Sequence, residues 1–257
     1  MRRLLIADVN GTILPTNAKE ASPRAAMAVE QMQKEQRSLA IATSLSARYM
    51  TGLATSLKLK GMGILDGGAT IHNFETNERD RELSRWLNKD TTREVVAGIG
   101  QRCLEVYYDE HSQKRTPNTI DLSEIQDEAP SIFAVYHEDR EAEIKAVLGN
   151  IDGISARANV YDEAPNQRCI QVTQYGVSKQ SGTEILLASD FYRHLPGEEV
   201  AAIGDGEPDK DLFDALPPDG LRIAMGNADV LKQYADVIVP SVDDDGFAFA
   251  VEKYILE

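Results

Sequence analysis

Short apolar runs that stop at a polar residue are the feature of this sequence that most constrains its fold. Residues 4–7 are all apolar and are followed by Asp8, and residues 39–42 are followed by Thr43. Runs of this length without alternation are typical of strands covered on both faces. A helical pattern lies between them, with Ser22 as its predicted N-cap. Alternating strands and helices predict a parallel sheet built from βαβ units.

The last third of the chain repeats this pattern. A helix is predicted over residues 178–191, and an apolar strand over residues 200–203 leads to Asp205. The remaining elements are predicted as a short helix from Asp209, strands at 222–225 and 236–239, a helix between them from Asn227, and a last helix through Tyr254. The sheet is therefore expected to draw its strands from both ends of the chain.

The predicted elements in the middle of the chain are longer, more polar and less regular than those in the first and last thirds. Residues 110–130 resemble a loop. The elements predicted after it are a strand at 132–136, a helix around Ile144, and strands at 154–158 and 169–173. We therefore predict an α/β protein with a three-layer, Rossmann-like parallel-sheet core. The core would comprise residues 1–82 and 178–257, and an inserted α+β cap domain would comprise residues 83–177.

Charge and composition exclude several classes of partner. The chain has 257 residues and a formal net charge of −15, with no visible stripe of Lys and Arg, so a nucleic-acid partner is not expected. Only four apolar residues precede Asp8, too few for a signal peptide or a membrane span. We expect a cytoplasmic monomer or homodimer without a membrane partner, in which Cys103 and Cys169 are reduced.

The polar residues that follow the apolar strands suggest a phosphate-handling site. Ligands of open parallel sheets bind outside the carboxyl ends of the strands, where Asp8, Thr43 and Asp205 are expected. Lys179 opens the helix after the middle segment. A carboxylate can attack phosphorus, Mg²⁺ takes carboxylate oxygens as ligands, and a lysine and a hydroxyl can stabilise phosphoryl charge.

Four motifs carry a resemblance to a known family. Residues 5–13 read LIADVNGTI, 41–44 read IATS, 176–179 read GVSK and 203–209 read IGDGEPD. Their types and order resemble the four motifs of the haloacid dehalogenase superfamily, over essentially the whole chain. Residues 224–228 and 245–246 further resemble the Cof-type, sugar-phosphatase-like branch, whose C2-type cap lies between the second and third motifs.

The resemblance implies roles for specific residues. Asp8 would be the nucleophile, in a catalytic set that also contains Asn10, Thr43 and Lys179. Mg²⁺ would be held by Asp8, Asp205 and the backbone carbonyl of Asn10, with Asp209 in support. The residues expected to bind substrate phosphate are Gly11, Thr12, Thr43, Ser44, Arg48 and Lys179. The implied activity is hydrolysis of a small phosphorylated metabolite, such as a sugar phosphate.

One departure from the family pattern concerns the chemistry directly. The family's second aspartate of the first motif, which protonates the leaving group and activates water, is replaced by Asn10. An amide cannot move a proton near neutral pH, and losing a general acid–base costs about 10²–10⁴-fold in rate. Two alternatives therefore stay open. One is a phosphate-ligand binding or regulatory protein, and the other is a phosphotransferase or mutase.

Other departures and candidates are less central. Pro208 stands where the family usually has Asn, Asp66 stands in place of an Asn, and Arg48 is a candidate for the missing arginine of the second motif. Arg157 and Tyr161 are candidates for facing the substrate. The histidines lack paired metal spacing and are expected on the surface or in loops: His72, His111, His137 and His194. The residues expected to pack the cap core are Trp86, Tyr107, Tyr108 and Tyr136.

Overall fold

The computed structural model describes residues 2–15, 18–108, 113–160 and 164–257. The chain forms two compact units. The first contains Met1–Ser84 and Ser178–Glu257, and the second contains Arg85–Val177. The second unit is therefore a single insertion into the sequence of the first.

Strands and helices largely alternate along the first unit, whereas each α-helix of the second is followed by two strands. The strands are β1 Leu4–Ala7, β2 Ser38–Ala42, β3 Met62–Leu65, β4 Thr70–Asn73, β5 Glu78–Asp80, β6 Glu105–Tyr107, β7 Ile132–His137, β8 Ile154–Val160, β9 Gln167–Gln174, β10 Val200–Gly204, β11 Leu221–Ala224 and β12 Val237–Ile238. The α-helices are α1 Pro23–Lys34, α2 Ala47–Ser56, α3 Lys89–Ile99, α4 Glu141–Leu148, α5 Lys179–Ala188, α6 Lys210–Ala215 and α7 Gly246–Ala250. A π-helical segment, Val251–Leu256, continues α7.

The first unit contains an eight-stranded sheet in the order β12-β11-β10-β1-β2-β3-β4-β5. The six strands from β12 to β3 are parallel, and β4 and β5 add an antiparallel edge. In a parallel sheet all carboxyl ends lie along one edge. The residues that follow β1, β2, β10 and β11 therefore share that edge.

Two apolar cores cover the two faces of this sheet. Leu5 of β1 points into one core, with Met32 of α1 and Phe247 of α7. Its neighbour Ile6 points into the other, with Phe213 of α6. Because consecutive strand residues alternate between the faces, an uninterrupted apolar run is what a doubly covered strand requires. The three-layer α/β core with an inserted α+β unit is thus confirmed.

The second unit is an antiparallel sheet with helices on one face. Its strand order is β6-β7-β9-β8, and α3 and α4 pack on it through a separate apolar core. Tyr108 and Tyr136 are buried in that core, as predicted, whereas Trp86 and Tyr107 are only half-buried. Both cysteines of this unit are buried, and the structure contains no disulfide between them.

Several local predictions differ from the structure. The hairpin of β4 and β5 was not predicted, and the helix predicted from Asn227 is only a short 3₁₀ turn, Leu231–Tyr234. His72, expected on the surface, is buried in β4, because its strand is the seventh of the sheet and not an exposed loop. The stretch predicted as a loop over residues 110–130 contains the 3₁₀ turns Pro117–Thr119 and Leu122–Glu124.

Some expectations concern parts of the chain that the structure leaves out. Tyr161 and His111 lie outside the described residues, while Arg157 lies on β8.

Within the described ranges, none of the helices combines the length and the apolar character needed to cross a membrane.

Candidate active site

Three carboxylates meet at the carboxyl edge of the parallel sheet. Asp8 directly follows β1, and Asp205 directly follows the adjacent strand β10. The backbone N–H of Asp8 donates to the carbonyl of Ile203 at 3.1 Å, which extends the pairing of the two strands to the site. Asp8, Asp205 and Asp209 each offer an oxygen within 4.8 Å of the others.

A buried lysine joins two of these acids. Lys179 is the first residue of α5, and its Nζ donates to Oδ1 of Asp8 at 2.6 Å and to Oδ1 of Asp209 at 2.6 Å. Ser178 caps the helix, since its Oγ accepts from the N–H of Ser181 at 3.3 Å while Oγ of Ser181 accepts from the N–H of Ser178 at 2.9 Å. The cap fixes where α5 begins and therefore where the lysine enters the site.

A glycine turn supports the start of this helix. Gly68 has a φ of 112°, and a Cβ added to it would lie 2.0 Å from the carbonyl oxygen of Ser178. Only glycine allows this approach. Asp66 and Gly67, which precede it, also have positive φ, at 54° and 69°. The turn that follows β3 is thus shaped to pack against the N-terminus of α5.

Both carboxylate oxygens of Asp209 accept hydrogen bonds from the protein. Its Oδ1 accepts from Lys179, and its Oδ2 accepts from the N–H of Asp205 at 3.1 Å and of Gly206 at 3.0 Å. Its side chain is buried. These bonds shape the turn after β10 and position Lys179, so Asp209 uses most of its hydrogen-bonding capacity within the protein.

Asp205 is held on both of its oxygens. Oγ1 of Thr12 donates to Oδ1 at 2.9 Å, and Nδ2 of Asn227 approaches Oδ2 at 3.3 Å. The same Nδ2 donates to the carbonyl of Gly11 at 2.9 Å. Gly11 has a φ of 80°, and a Cβ there would lie 2.1 Å from Oδ2 of Asp205. The turn after β1 and the carboxylate after β10 are therefore in close contact.

The electrostatics of the cluster favour a cation. Burial, followed by repulsion from Asp209, raises the pKa of Asp8 to about 7 although Lys179 opposes the shift. Burial also raises the pKa of Asp205 to about 6 against the hydrogen bond from Thr12. Burial opposes the charge of Lys179, but Asp209 and Asp8 outweigh it, so the pKa of that ammonium lies above its ordinary value. One ammonium faces three carboxylates, which leaves negative charge for a further cation to neutralise.

The donor set fits Mg²⁺. This ion prefers oxygen ligands and is commonly bound through one or two carboxylates while keeping several waters. Asp8 and Asp205 retain oxygens with unused lone pairs, and an oxygen of Asp209 lies within 4.8 Å of theirs. Within the described ranges, no second group of three His, Cys, Asp or Glu residues is spaced to hold a metal ion.

The remaining residues predicted for the site lie at different depths. Thr43 follows β2 and is buried; its Oγ1 accepts from the N–H of Leu45 at 3.2 Å. Ser44 and Arg48 are exposed, as is Asn10. The backbone of Asn10 lies in the turn closed by the hydrogen bond from the N–H of Ile13 to the carbonyl of Val9, at 2.9 Å. Their catalytic and binding roles remain predictions.

Asn227 and the turn at Gly68 were not predicted as parts of the site. Asn227 closely follows β11, so the rule that placed Asp8 and Asp205 at strand ends could also have selected it. No sequence pattern indicated that Gly68 supports α5, because this support depends on a close approach between segments that are far apart in sequence.

The fold and the acid cluster define a Rossmann-like α/β protein with a carboxylate-rich site at the carboxyl edge of its sheet. A family model described as haloacid dehalogenase-like hydrolase matches residues 5–251. The chain belongs to this family. The resemblance drawn from the four sequence motifs is thereby confirmed.

Individual relatives are more distant. Phosphatase YwpJ of Bacillus subtilis is 26% identical, over 99% of this chain and 100% of the relative. The chloroplastic endoribonuclease YBEY of Arabidopsis thaliana is also 26% identical over 97% of this chain, but this chain spans only 46% of that protein. A solved haloacid dehalogenase-like hydrolase from Bacteroides thetaiotaomicron superimposes with a TM-score of 0.80 at 23% identity, covering 98% of this chain and 99% of the other. At that identity the superposition shows the fold alone.

Proposed function

We propose that this protein is a magnesium-dependent phosphatase of small phosphomonoesters, such as sugar phosphates, and that it acts through an aspartyl-phosphate on Asp8. The observation that carries the proposal is the buried Asp8 carboxylate, bonded to Lys179 and within 4.8 Å of Asp205 and Asp209. Family membership and the phosphatase-named relative support a phosphoric monoester hydrolase.

The first chemical step uses a carboxylate as the nucleophile. One oxygen of Asp8 accepts from Lys179, and the other attacks phosphorus. A bond forms between that oxygen and phosphorus, and the ester P–O bond of the substrate breaks. The leaving alkoxide departs with its bonding electrons and takes up a proton. Mg²⁺, when bound, supplies positive charge that offsets the charge of the phosphoryl oxygens.

The second step regenerates the carboxylate. A water molecule attacks phosphorus, the P–O bond to Asp8 breaks, and inorganic phosphate is released while the water gives up a proton. Lys179 and the hydroxyl of Thr43 would hold phosphoryl oxygens through both steps. Groups arranged before the reaction stabilise the developing charge without reorganising, which is where most of such catalysis arises.

Asn10 sets the expected speed of these steps. Its amide can accept and donate hydrogen bonds but cannot exchange a proton with the leaving group or with water near neutral pH. Solvent must do both, so turnover should be about 10²–10⁴-fold below that of an enzyme with a carboxylate at this position. The aspartyl-phosphate should then accumulate whenever its hydrolysis is slower than its formation.

The test is phosphate release from a panel of phosphomonoesters with Mg²⁺. We would compare the natural chain with Asp8→Asn, which keeps the size of the side chain and removes the nucleophile, and with Asn10→Asp. We expect no turnover in Asp8→Asn and a gain of about 10²-fold or more in Asn10→Asp. Intact mass would verify that residue 10 is still an amide in the natural chain. Turnover that survives Asp8→Asn would contradict the proposal.

Asn10 also favours a second function, in which the pocket is kept and hydrolysis is lost. Magnesium-dependent binding of a phosphorylated ligand, without phosphate release from the natural chain, would identify a binding or regulatory protein. A stoichiometric aspartyl-phosphate that decays only after an acceptor sugar is added would identify a phosphotransferase or mutase. Both readouts come from the same panel when enzyme and substrate are mixed at comparable concentrations.

A further inference from the structure

We infer that Asn227 is a positioning residue whose side-chain amide orients Asp205 toward the cation site and ties it to the turn that follows β1. This inference rests on the metal-binding role of Asp205 in the proposed function. It concerns a residue that does not touch the reacting atoms and acts through a ligand.

The contacts of Asn227 use both ends of the amide. Nδ2 donates to the carbonyl of Gly11 at 2.9 Å and approaches Oδ2 of Asp205 at 3.3 Å. Oδ1 accepts from the N–H of Val242 at 3.0 Å. If the amide were rotated by 180°, its oxygen would lie next to two acceptors and its NH₂ group next to a donor. The surroundings therefore determine one orientation of the amide.

The amide completes a clamp on Asp205. Thr12 donates to Oδ1 of this carboxylate, Asn227 reaches Oδ2, and the Cα of Gly11 leaves no room beside Oδ2. An aspartate has a broad, roughly two-fold torsion at its carboxylate, so without donors on both edges it would sample several orientations. A ligand that is held in one orientation loses less entropy when it binds a metal ion, and such outer partners typically change metal affinity 10–100-fold.

The topology explains why this residue can act there. Asn227 comes shortly after β11, Asp205 directly follows β10, and the turn at Gly11 comes after β1; these three strands are adjacent in the sheet. The backbone also fixes the segment, since the N–H of Met225 donates to the carbonyl of Gly204 at 3.0 Å. The amide thus joins three successive strand ends on the edge where the acids lie.

The test measures Mg²⁺ binding directly, by calorimetric titration of the full-length, substrate-free protein. Asn227→Leu keeps a similar side-chain size and removes all three contacts. Ser241→Ala is the matched control, since it removes the hydrogen bond from Oγ of Ser241 to Asp244 in the neighbouring loop and leaves the contacts of Asn227 intact. We expect the Mg²⁺ dissociation constant to rise about 10–100-fold in Asn227→Leu and to stay within twofold in Ser241→Ala.

A double variant shows whether the effect passes through Asp205. In the background Asp205→Ala, which lacks the ligand, Asn227→Leu should weaken Mg²⁺ binding no further. Equal weakening in both backgrounds, or an unchanged dissociation constant in Asn227→Leu, would overturn the inference. Asn227→Ser replaces Asn227→Leu if the latter lacks a cooperative thermal transition.

The design separates this inference from the function on which it rests. If Asp205→Ala binds Mg²⁺ as tightly as the natural chain, the proposed metal role of Asp205 fails, and the inference fails with it. If Asp205→Ala weakens binding and Asn227→Leu does not, only the inference fails. If the role of Asn227 were purely structural, Asn227→Leu would lower the thermal midpoint of the metal-free protein without changing the Mg²⁺ dissociation constant of the folded form.

Discussion

The two units use β-sheets of different topology, and among the described residues the cluster of three carboxylates lies at the edge of the mainly parallel one. In the first unit, Asp8 and Asp205 are far apart in sequence but directly follow adjacent parallel strands. In the second unit, β7, β8 and β9 run antiparallel, so consecutive strand ends point to opposite edges. A parallel sheet therefore concentrates the residues that follow its strands at one edge, whereas an antiparallel sheet divides them between two.

Two glycines with nearly the same φ, one in each unit, give the sharpest test of this contrast. Gly11 of the first unit has a φ of 80° and Gly153 of the second a φ of 78°. A Cβ on Gly11 would lie 2.1 Å from Oδ2 of Asp205, whereas a Cβ on Gly153 would meet nothing within 4 Å. The pair therefore separates backbone strain from displacement of a neighbouring carboxylate.

We expect Gly11→Ala to have the largest effect. Alanine at positive φ costs about 1–2 kcal/mol in either unit. In Gly11→Ala the carboxylate of Asp205 must also move, so Mg²⁺ affinity and magnesium-dependent turnover should fall by about 10²-fold or more. Thermal unfolding and calorimetric Mg²⁺ titration would measure the two components.

Gly153→Ala is the control for backbone strain alone. It should lower the unfolding free energy by a similar 1–2 kcal/mol, as an order of magnitude, and leave the Mg²⁺ dissociation constant unchanged. Equal losses of Mg²⁺ affinity in both variants would show that strain, and not the contact with Asp205, accounts for the effect.

Asp66 supports a prediction about pH in the first unit. Burial raises its pKa to about 7, opposed by a hydrogen bond from Thr70 and by the charge of Arg79. Because the folded form keeps its proton up to a higher pH than the unfolded form, Asp66 contributes stability at low pH that is lost as pH rises from about 4 to about 7. A shift of about three pH units corresponds to at most about 4 kcal/mol.

The variant Asp66→Asn should remove this contribution to the pH dependence. We expect the difference in unfolding free energy between Asp66→Asn and the natural chain to move in favour of the variant as pH rises from 5 to 8. Urea unfolding of the metal-free proteins at several pH values would measure it. Asp121→Asn is the control, because Asp121 is exposed and its pKa is lowered by hydrogen bonds from Ser123. A pH-independent difference for Asp66→Asn would contradict the assignment.

The sequence predicted the parts of this fold that depend on local pattern. Apolar runs such as residues 4–7 identify doubly covered strands by themselves, and the Ser22 cap of α1 is observed, with its Oγ accepting from the N–H of Ala25 at 3.0 Å. The hairpin of β4 and β5 was missed because β5 is short, charged and exposed to half-buried, so it carries no apolar alternation. The 3₁₀ turn Leu231–Tyr234 was predicted as a helix because its apolar spacing does not reveal its length.

In the candidate site, the sequence predicted only those residues whose type and position along the chain indicate a role. Asp8, Lys179, Asp205 and Asp209 were selected by type, order and position at strand or helix ends, and the structure brings these four together. What could not be predicted is how each is held. The clamp on Asp205 by Asn227 depends on distances between segments that the sequence keeps far apart, and no local pattern records them.

The smallest predicted effect concerns the core of the second unit. Tyr136 is fully buried, and its hydroxyl has no hydrogen-bond partner among the residues that the structure describes. Burial raises its pKa to about 12, so the hydroxyl remains neutral. An unpaired buried hydroxyl costs about 1–3 kcal/mol, and Tyr136→Phe removes it with little change of shape. We expect this variant to equal or exceed the natural chain in stability by about 1 kcal/mol.

Tyr107→Phe is the matched change in the same sheet. The hydroxyl of Tyr107 donates to Oε2 of Glu105 at 2.7 Å, so its removal should cost about 0.5–1.5 kcal/mol. Neither variant should alter the Mg²⁺ dissociation constant, because every proposed ligand belongs to the first unit. Thermal unfolding gives the sign of each change. A loss of stability in Tyr136→Phe as large as that in Tyr107→Phe would mean that the buried hydroxyl is paired, for example with an ordered water, and that this core is less apolar than its side chains indicate.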